Sequence, residues 1–323
     1  MRATLWIAAV SLAIAGAGPA GAHGEKGHAG PRGAELRRAL EILSPAKAAA
    51  RIEIDVPGGR RLIRADGMPD HEPGRFPNAG NPHSVRAQSY TLAVPLAPRR
   101  GGAPRPNRIQ PFGVALNGVL FDAMTAEFWR DDPRSGWNME AIGGPRNLGL
   151  DRHNAHVQPD GTYHYHGVPV GLVERLARRD TPALLGYAAD GFPIYGPFGY
   201  TAAADPASGL KKLVPGWRLK PGRRPADGPS GAYNGNYTQD FEFAGGDLDE
   251  CNGREGVTPE YPQGIYHYVL TETFPYIPRC FAGTPDPSFN LKGPPGGGPG
   301  GGPGGRPGGP PPPGGGRGGP PPR

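Results

Sequence analysis

Turn residues limit this chain more than any other feature. It carries 55 Gly and 43 Pro among 323 residues. Spread evenly, that density would prevent a packed core. It is uneven: residues 293–323 contain only Gly, Pro and Arg. Upstream, short apolar stretches alternate with Gly, Pro, Asn and Asp clusters, the pattern of short strands joined by tight turns. Ile52, Ile54 and Val56, then Tyr90 to Leu96, read as strands. Asn117-Gly118 between apolar runs reads as a hairpin over 112–121. Residues 123–130 read as one or two helical turns, Val168 to Arg179 as a helix, and 183–200 as strand and turn. The expected fold is mainly β: a single sandwich-like domain over 45–290 with a few short helices. Residues 291–323 form a tail that cannot bury enough apolar surface to offset its ordering entropy.

Residues 1–22 read as a secretory signal peptide: Arg2, an apolar run from Leu5 to Ala15, and Ala20-Gly21-Ala22 at the cleavage site. Residues 23–44 are expected to be flexible, with one short helix at 34–44. Export to the periplasm or the outside follows. No later stretch is long and apolar enough to span a membrane. The net charge of +6 includes Arg2 and three tail arginines, so the middle gives little support for nucleic-acid binding. In an oxidising compartment Cys251 and Cys280 most simply form a disulfide; a two-Cys metal site is the alternative.

The chemistry concentrates in His156-Val157-Gln158-Pro159-Asp160-Gly161-Thr162-Tyr163-His164-Tyr165-His166. Strand alternation places His164 and His166 on one face and Tyr163 and Tyr165 on the other. A three-residue loop, Pro159-Asp160-Gly161, sets His156 opposite His164. Three imidazoles then share a face and suit one copper or zinc ion with a position left open. A two-residue loop would send His156 to the other face.

A similar run recurs as Pro262-Gln263-Gly264-Ile265-Tyr266-His267-Tyr268, from either an internal duplication or two similar hairpins. Val269 replaces the second His, and the same turn logic sets Pro259 opposite His267. His267 is a candidate fourth ligand, a base near the metal or a buried hydrogen-bonded residue.

These motifs resemble the YHYH-domain family, named for the pattern at Tyr163-His164-Tyr165-His166. Similar stretches include Asp66-Gly67-Met68-Pro69-Asp70-His71, Phe76-Pro77-Asn78-Ala79-Gly80-Asn81-Pro82, Asn154-Ala155-His156-Val157-Gln158-Pro159 and Phe274-Pro275-Tyr276-Ile277-Pro278-Arg279-Cys280. The resemblance implies an exported domain with a His-centred site and names no reaction. It adds His71 to the candidate metal ligands.

Two functional classes remain. One is an exported metal-binding protein, with catalysis an open question. The other is an envelope or extracellular module that stacks aromatic residues, such as Trp129, Trp137 and Trp217, on glycan or matrix polymer. Ser-based elbows, phosphate loops and dinucleotide fingerprints are absent from the sequence.

Overall fold

The computed structural model describes residues 50–291 except Val56 and residues 108–110. The leader, the expected helix at 34–44 and the segment 293–323 lie outside the described residues. β1 (Ala50–Asp55), β2 (Arg60–Ala65) and β3 (Tyr90–Pro95) form an antiparallel sheet in that order. Ile63, Leu92 and Val94 point inward and are fully buried, as strand alternation requires. The long connection 66–89 holds no strand or helix. It straps the hairpin of interest: Arg86 N–H donates to Gly161 O (2.9 Å) and Asn81 Nδ2 to Val157 O (2.9 Å).

β4 (Arg105–Pro106) breaks what reads in sequence as plain connection. Next come β5 (Gly113–Ala115), β6 (Leu120–Phe121), β7 (Ala155–Val157), β8 (Tyr163–Tyr165), β9 (Leu184–Ala188) and β10 (Pro193–Tyr195). β11 (Phe198–Tyr200) pairs with β12 (Leu210–Lys212), and β13 (Trp217–Leu219) with β14 (Phe241–Phe243). β15 (Gly253–Thr258) and β16 (Tyr261–Val269) complete an eight-stranded sheet ordered β15-β16-β10-β9-β5-β6-β8-β7. β17 (Cys280–Phe281) pairs with β4. β6 runs parallel to β8 and β10 parallel to β16; the other pairs of the large sheet are antiparallel.

The expected helical turns at 123–130 reduce to a 3-10 turn at Trp129–Asp131. The helix expected over 168–179 is Val170–Leu176. It starts after Pro169 and stops where Ala177 turns extended.

Inward residues of both sheets belong to one hydrophobic core, in which Leu92 and Val94 join Val114, Tyr165 and Ile194. The core is rich in tyrosine, and three of its hydroxyls are tied to carboxylates. Tyr163 OH donates to Asp151 (2.7 Å), Tyr266 OH to Asp249 (3.1 Å) and Tyr268 OH to Asp190 (2.6 Å). Pairing answers the desolvation cost that a buried hydroxyl otherwise carries. Asp190 is a buried core acceptor, and burial raises its pKa to about 6.

The second hairpin departs from its expected turn. Its chain reversal falls at Pro259-Glu260, where Thr258 pairs with Tyr261. Pro262 to Gly264 instead bulge outward on the exposed part of β16, with Gly264 at φ +84°. The residue opposite His267 is therefore Arg254, not Pro259. Proline followed by a left-handed glycine suits a bulge as well as a turn.

Candidate metal centre

The three-residue loop exists. Gly161 takes φ +93° and donates to Gln158 O (2.9 Å), and Gln158 N–H donates to Thr162 O (2.9 Å). That register pairs His156 with His164 and Val157 with Tyr163. His166 follows on the same face. The ligand-capable nitrogens of His156, His164 and His166 all lie within 4.8 Å of one another.

The contact is closer than that bound. His166 Nε2 sits 2.9 Å from His164 Nε2 and 3.1 Å from His156 Nε2. The opposite ring nitrogens face carbonyls: His156 Nδ1 meets Leu148 O (2.9 Å) and His164 Nδ1 meets Thr162 O (3.2 Å). The His166 ring is hydrogen-bonded to the Asp122 backbone. A carbonyl only accepts, so in each neutral ring the proton resides on the nitrogen facing it. Three Nε2 lone pairs are then aimed at one another with no proton between them.

Protonating His156 and His166 is disfavoured. Burial lowers the His156 pKa. Burial, then the neighbouring His164, His156 and Arg279, holds His166 well below the ordinary histidine range. A metal ion satisfies this arrangement. Tetrahedral zinc–imidazole bonds of about 2.05 Å place ligand nitrogens about 3.3 Å apart. Ring N–H groups donated to carbonyls are how protein-held imidazoles are oriented toward a metal.

The triad opens on a cleft of about 790 Å³ lined also by His83, Asp122, Met124, Glu127 and Gln158. The Glu127 charge acts on His156 favourably for a cation, and His83 acts in the opposite sense. On the protein side, Arg279 is neutralised by Glu140, with Nη2 to Oε2 at 2.6 Å.

The structure does not bring His71 or His267 to this point. His71 is on the tyrosine side of β8: its Nε2 is 2.7 Å from Tyr165 OH, and its ring lies against that of His153, tilted by 35° with centroids 3.8 Å apart. The pleat separates that side from the triad. Burial, then His153, lowers the His71 pKa. His267 belongs to β16, with four strands between it and β8, which at strand spacing is about 24 Å. Its Nδ1–H donates to Ile265 O (3.1 Å), and burial pushes its pKa down to about 4.

The sequence motifs point to none of His83, Glu127, Asp122 and Leu148. They come from separate segments with no motif spacing to His164. His153 is structural: its Nδ1 accepts from Gly171 N–H (2.9 Å) and its Nε2–H donates to Glu72 O (3.0 Å). Of the tryptophans, Trp129 and Trp137 are joined through Trp129 N–H to Trp137 O (3.0 Å), while Trp217 packs separately against Phe243 and Phe274. Cys251 and Cys280 are disulfide-bonded.

The fold and site define a mainly β protein carrying a three-histidine cluster suited to a metal ion. The chain belongs to the family described as YHYH protein, whose model matches residues 91–283, more than half of its length. The matched segment contains both Tyr-His-Tyr hairpins; His71 precedes it. No curated protein and no solved structure matches the chain.

Proposed function

We propose that this is an exported metal-binding protein whose His156, His164 and His166 hold one copper or zinc ion. The observation that carries the reading is the convergence of three unprotonated Nε2 atoms, each ring oriented by a carbonyl on its far side. Imidazole suits both metals. The leader-like residues 1–22 and the Cys251–Cys280 disulfide support an oxidising compartment.

Three protein ligands leave an exchangeable position, at which such an ion supplies Lewis acidity or, for copper, redox chemistry. The cleft exposes that position to ligands from solvent, as either catalysis or metal hand-over requires. Glu127 adds a carboxylate to the cleft wall, and the backbone around Leu148 and Asp122 keeps the rings in one tautomer.

The test is metal analysis of the full chain, exported from cells and purified without an affinity tag, beside a His164→Ala, His166→Ala double variant. About one equivalent of copper or zinc is expected in the first, as a three-imidazole site predicts. None is expected in the folded variant. Equal metal in both, or none in either after reconstitution, overturns the reading. Turnover by the loaded protein in hydrolase and oxidase screens then separates catalysis from metal delivery.

A further inference from the structure

The eight-stranded sheet repeats itself about its centre. Its first half contains β5 to β8; its second contains β9, β10, β15 and β16, which occupy mirrored places in the strand order. The central pair, β5 and β9, is antiparallel with Val114 opposite Tyr187. Around it, Gly113-Val114-Ala115-Leu116-Asn117-Gly118 corresponds to Gly186-Tyr187-Ala188-Ala189-Asp190-Gly191. Val114 and Tyr187 are thus each other's counterparts and each other's partners, as a two-fold axis between them requires.

The hydrogen bonds repeat with the residues. Gly118 and Gly191 take φ +85° and +91° and donate to Ala115 O and Ala188 O, both at 2.9 Å. Asn117 bonds the Tyr165 hydroxyl and Asp190 the Tyr268 hydroxyl. Phe121 pairs in parallel with Tyr165, and its counterpart Ile194 with Tyr268.

The second hairpins match just as closely. Asp151 N–H donates to Ala155 O (2.8 Å) and Asp249 N–H to Gly253 O (2.9 Å). Their carboxylates accept from His153 N and Ala155 N in one half, and from Cys251 N and Gly253 N in the other. Asn154 and Asn252 both adopt the left-handed conformation, at φ +56° and +55°. Tyr163 bonds Asp151, and Tyr266 bonds Asp249. A chance pair of hairpins would not share an Asp, a left-handed Asn and a Tyr in one hydrogen-bonded unit.

We propose that the sheet is a tandem duplication and that its second half is a converted divalent-cation site. The pairing His156 with His164 becomes Arg254 with His267, and Val269 stands where His166 stands. His267 keeps the ligand posture: its Nδ1 donates to Ile265 O as that of His164 does to Thr162 O. The Arg254 guanidinium supplies a fixed positive charge in place of an ion, and its Nη2 anchors Tyr200 O (3.0 Å). Val269 packs with Leu213 and Leu248, so apolar burial replaces the third ligand. The proposal rests on the triad reading for the first half only.

Restoring the ligands tests it. In Arg254→His, Val269→His, metal content is expected to rise from one equivalent to two, and the same pair in the His164→Ala, His166→Ala background to restore one. A folded double variant that gains nothing overturns the proposal. Val269 is buried, so Arg254→His alone provides the arm that leaves Leu213 and Leu248 packed. A Cu(II) titration of it is expected to show an added isotherm that disappears in Arg254→His, His267→Ala. Identical isotherms for those two variants overturn the proposal. Metal-free wild type defeats the proposed function, but this difference does not involve His164 and still reads the second half.

Discussion

The hairpin at Ala155–Tyr165 and the one at Gly253–Val269 share a supporting Asp and a Tyr-His-Tyr strand, though their loops differ, and only the first gathers histidines. What differs is the covering of the outer face. Over the first, residues of the 122–128 segment form one wall of a cleft that the three imidazoles also line. Over the second, the β11–β12 arm closes down: Arg254 reaches Tyr200 O, Val257 N–H donates to Ala203 O (2.8 Å), and Leu213 meets Val269. A buried face needs apolar packing or paired charge, so an open ring nitrogen has no use there. The Tyr-His-Tyr pattern therefore specifies a scaffold, and the neighbouring segments decide whether it becomes a site.

The comparison breaks most sharply on metal affinity. His164→Ala should weaken binding by at least about 100-fold, more than loss of an outer hydrogen-bonding partner. His267→Ala should leave it unchanged. Competition titration against a chromophoric chelator reads both, and equal losses would erase the distinction between the hairpins.

The disulfide comes next, because only the second half has one: Cys251, just before β15, is tied to Cys280 on β17. Cys251→Ser with Cys280→Ser should cost about 3.6 kcal/mol through the loop it closes, whose ends are 29 residues apart. Urea unfolding measures this. Metal stoichiometry at the first hairpin should persist wherever the variant remains folded.

Acidification should separate the halves further. His267 has a pKa near 4 in the fold against about 6.5 unfolded, so the unfolded chain binds more protons between those values. Stability should accordingly be complete above pH 6.5 and fall as pH drops toward 4, by up to about 3 kcal/mol. The lowered His156 and His166 contribute with the same sign. His267→Gln should flatten the slope in metal-free protein, as thermal melts between pH 4 and 8 would reveal. An unchanged slope would remove His267 from the account.

The smallest effect probes the likeness rather than the difference. Tyr163→Phe and Tyr266→Phe each delete one hydrogen bond to a carboxylate and should each cost about 1.5–2 kcal/mol. Costs that differ several-fold by denaturant titration would show that Asp151 and Asp249 do different work.

Much of the first hairpin was legible in the sequence. Pro159-Asp160-Gly161 suits a three-residue loop that sets His156 opposite His164, but a two-residue loop was equally short, and the structure shows the three-residue register. The same reasoning failed at Pro262-Gln263-Gly264, because proline and left-handed glycine also make a bulge, and residues outside the motif determine which forms. His71 was drawn toward the site by its neighbours in sequence, but it reaches Tyr165 on the opposite side of the pleat.

Local chemistry determined the short strands, the β class, the shared face of His164 and His166, and the simplest pairing of the only two cysteines, since each depends on neighbours in sequence or on there being no other partner. Tertiary structure decided the rest: Leu148 and Asp122 orienting the rings, Glu127 and His83 lining the cleft, and Arg254 opposite His267. Those contacts join segments distant in the chain, and their geometry follows from how the sheet halves are covered, which no local pattern encodes.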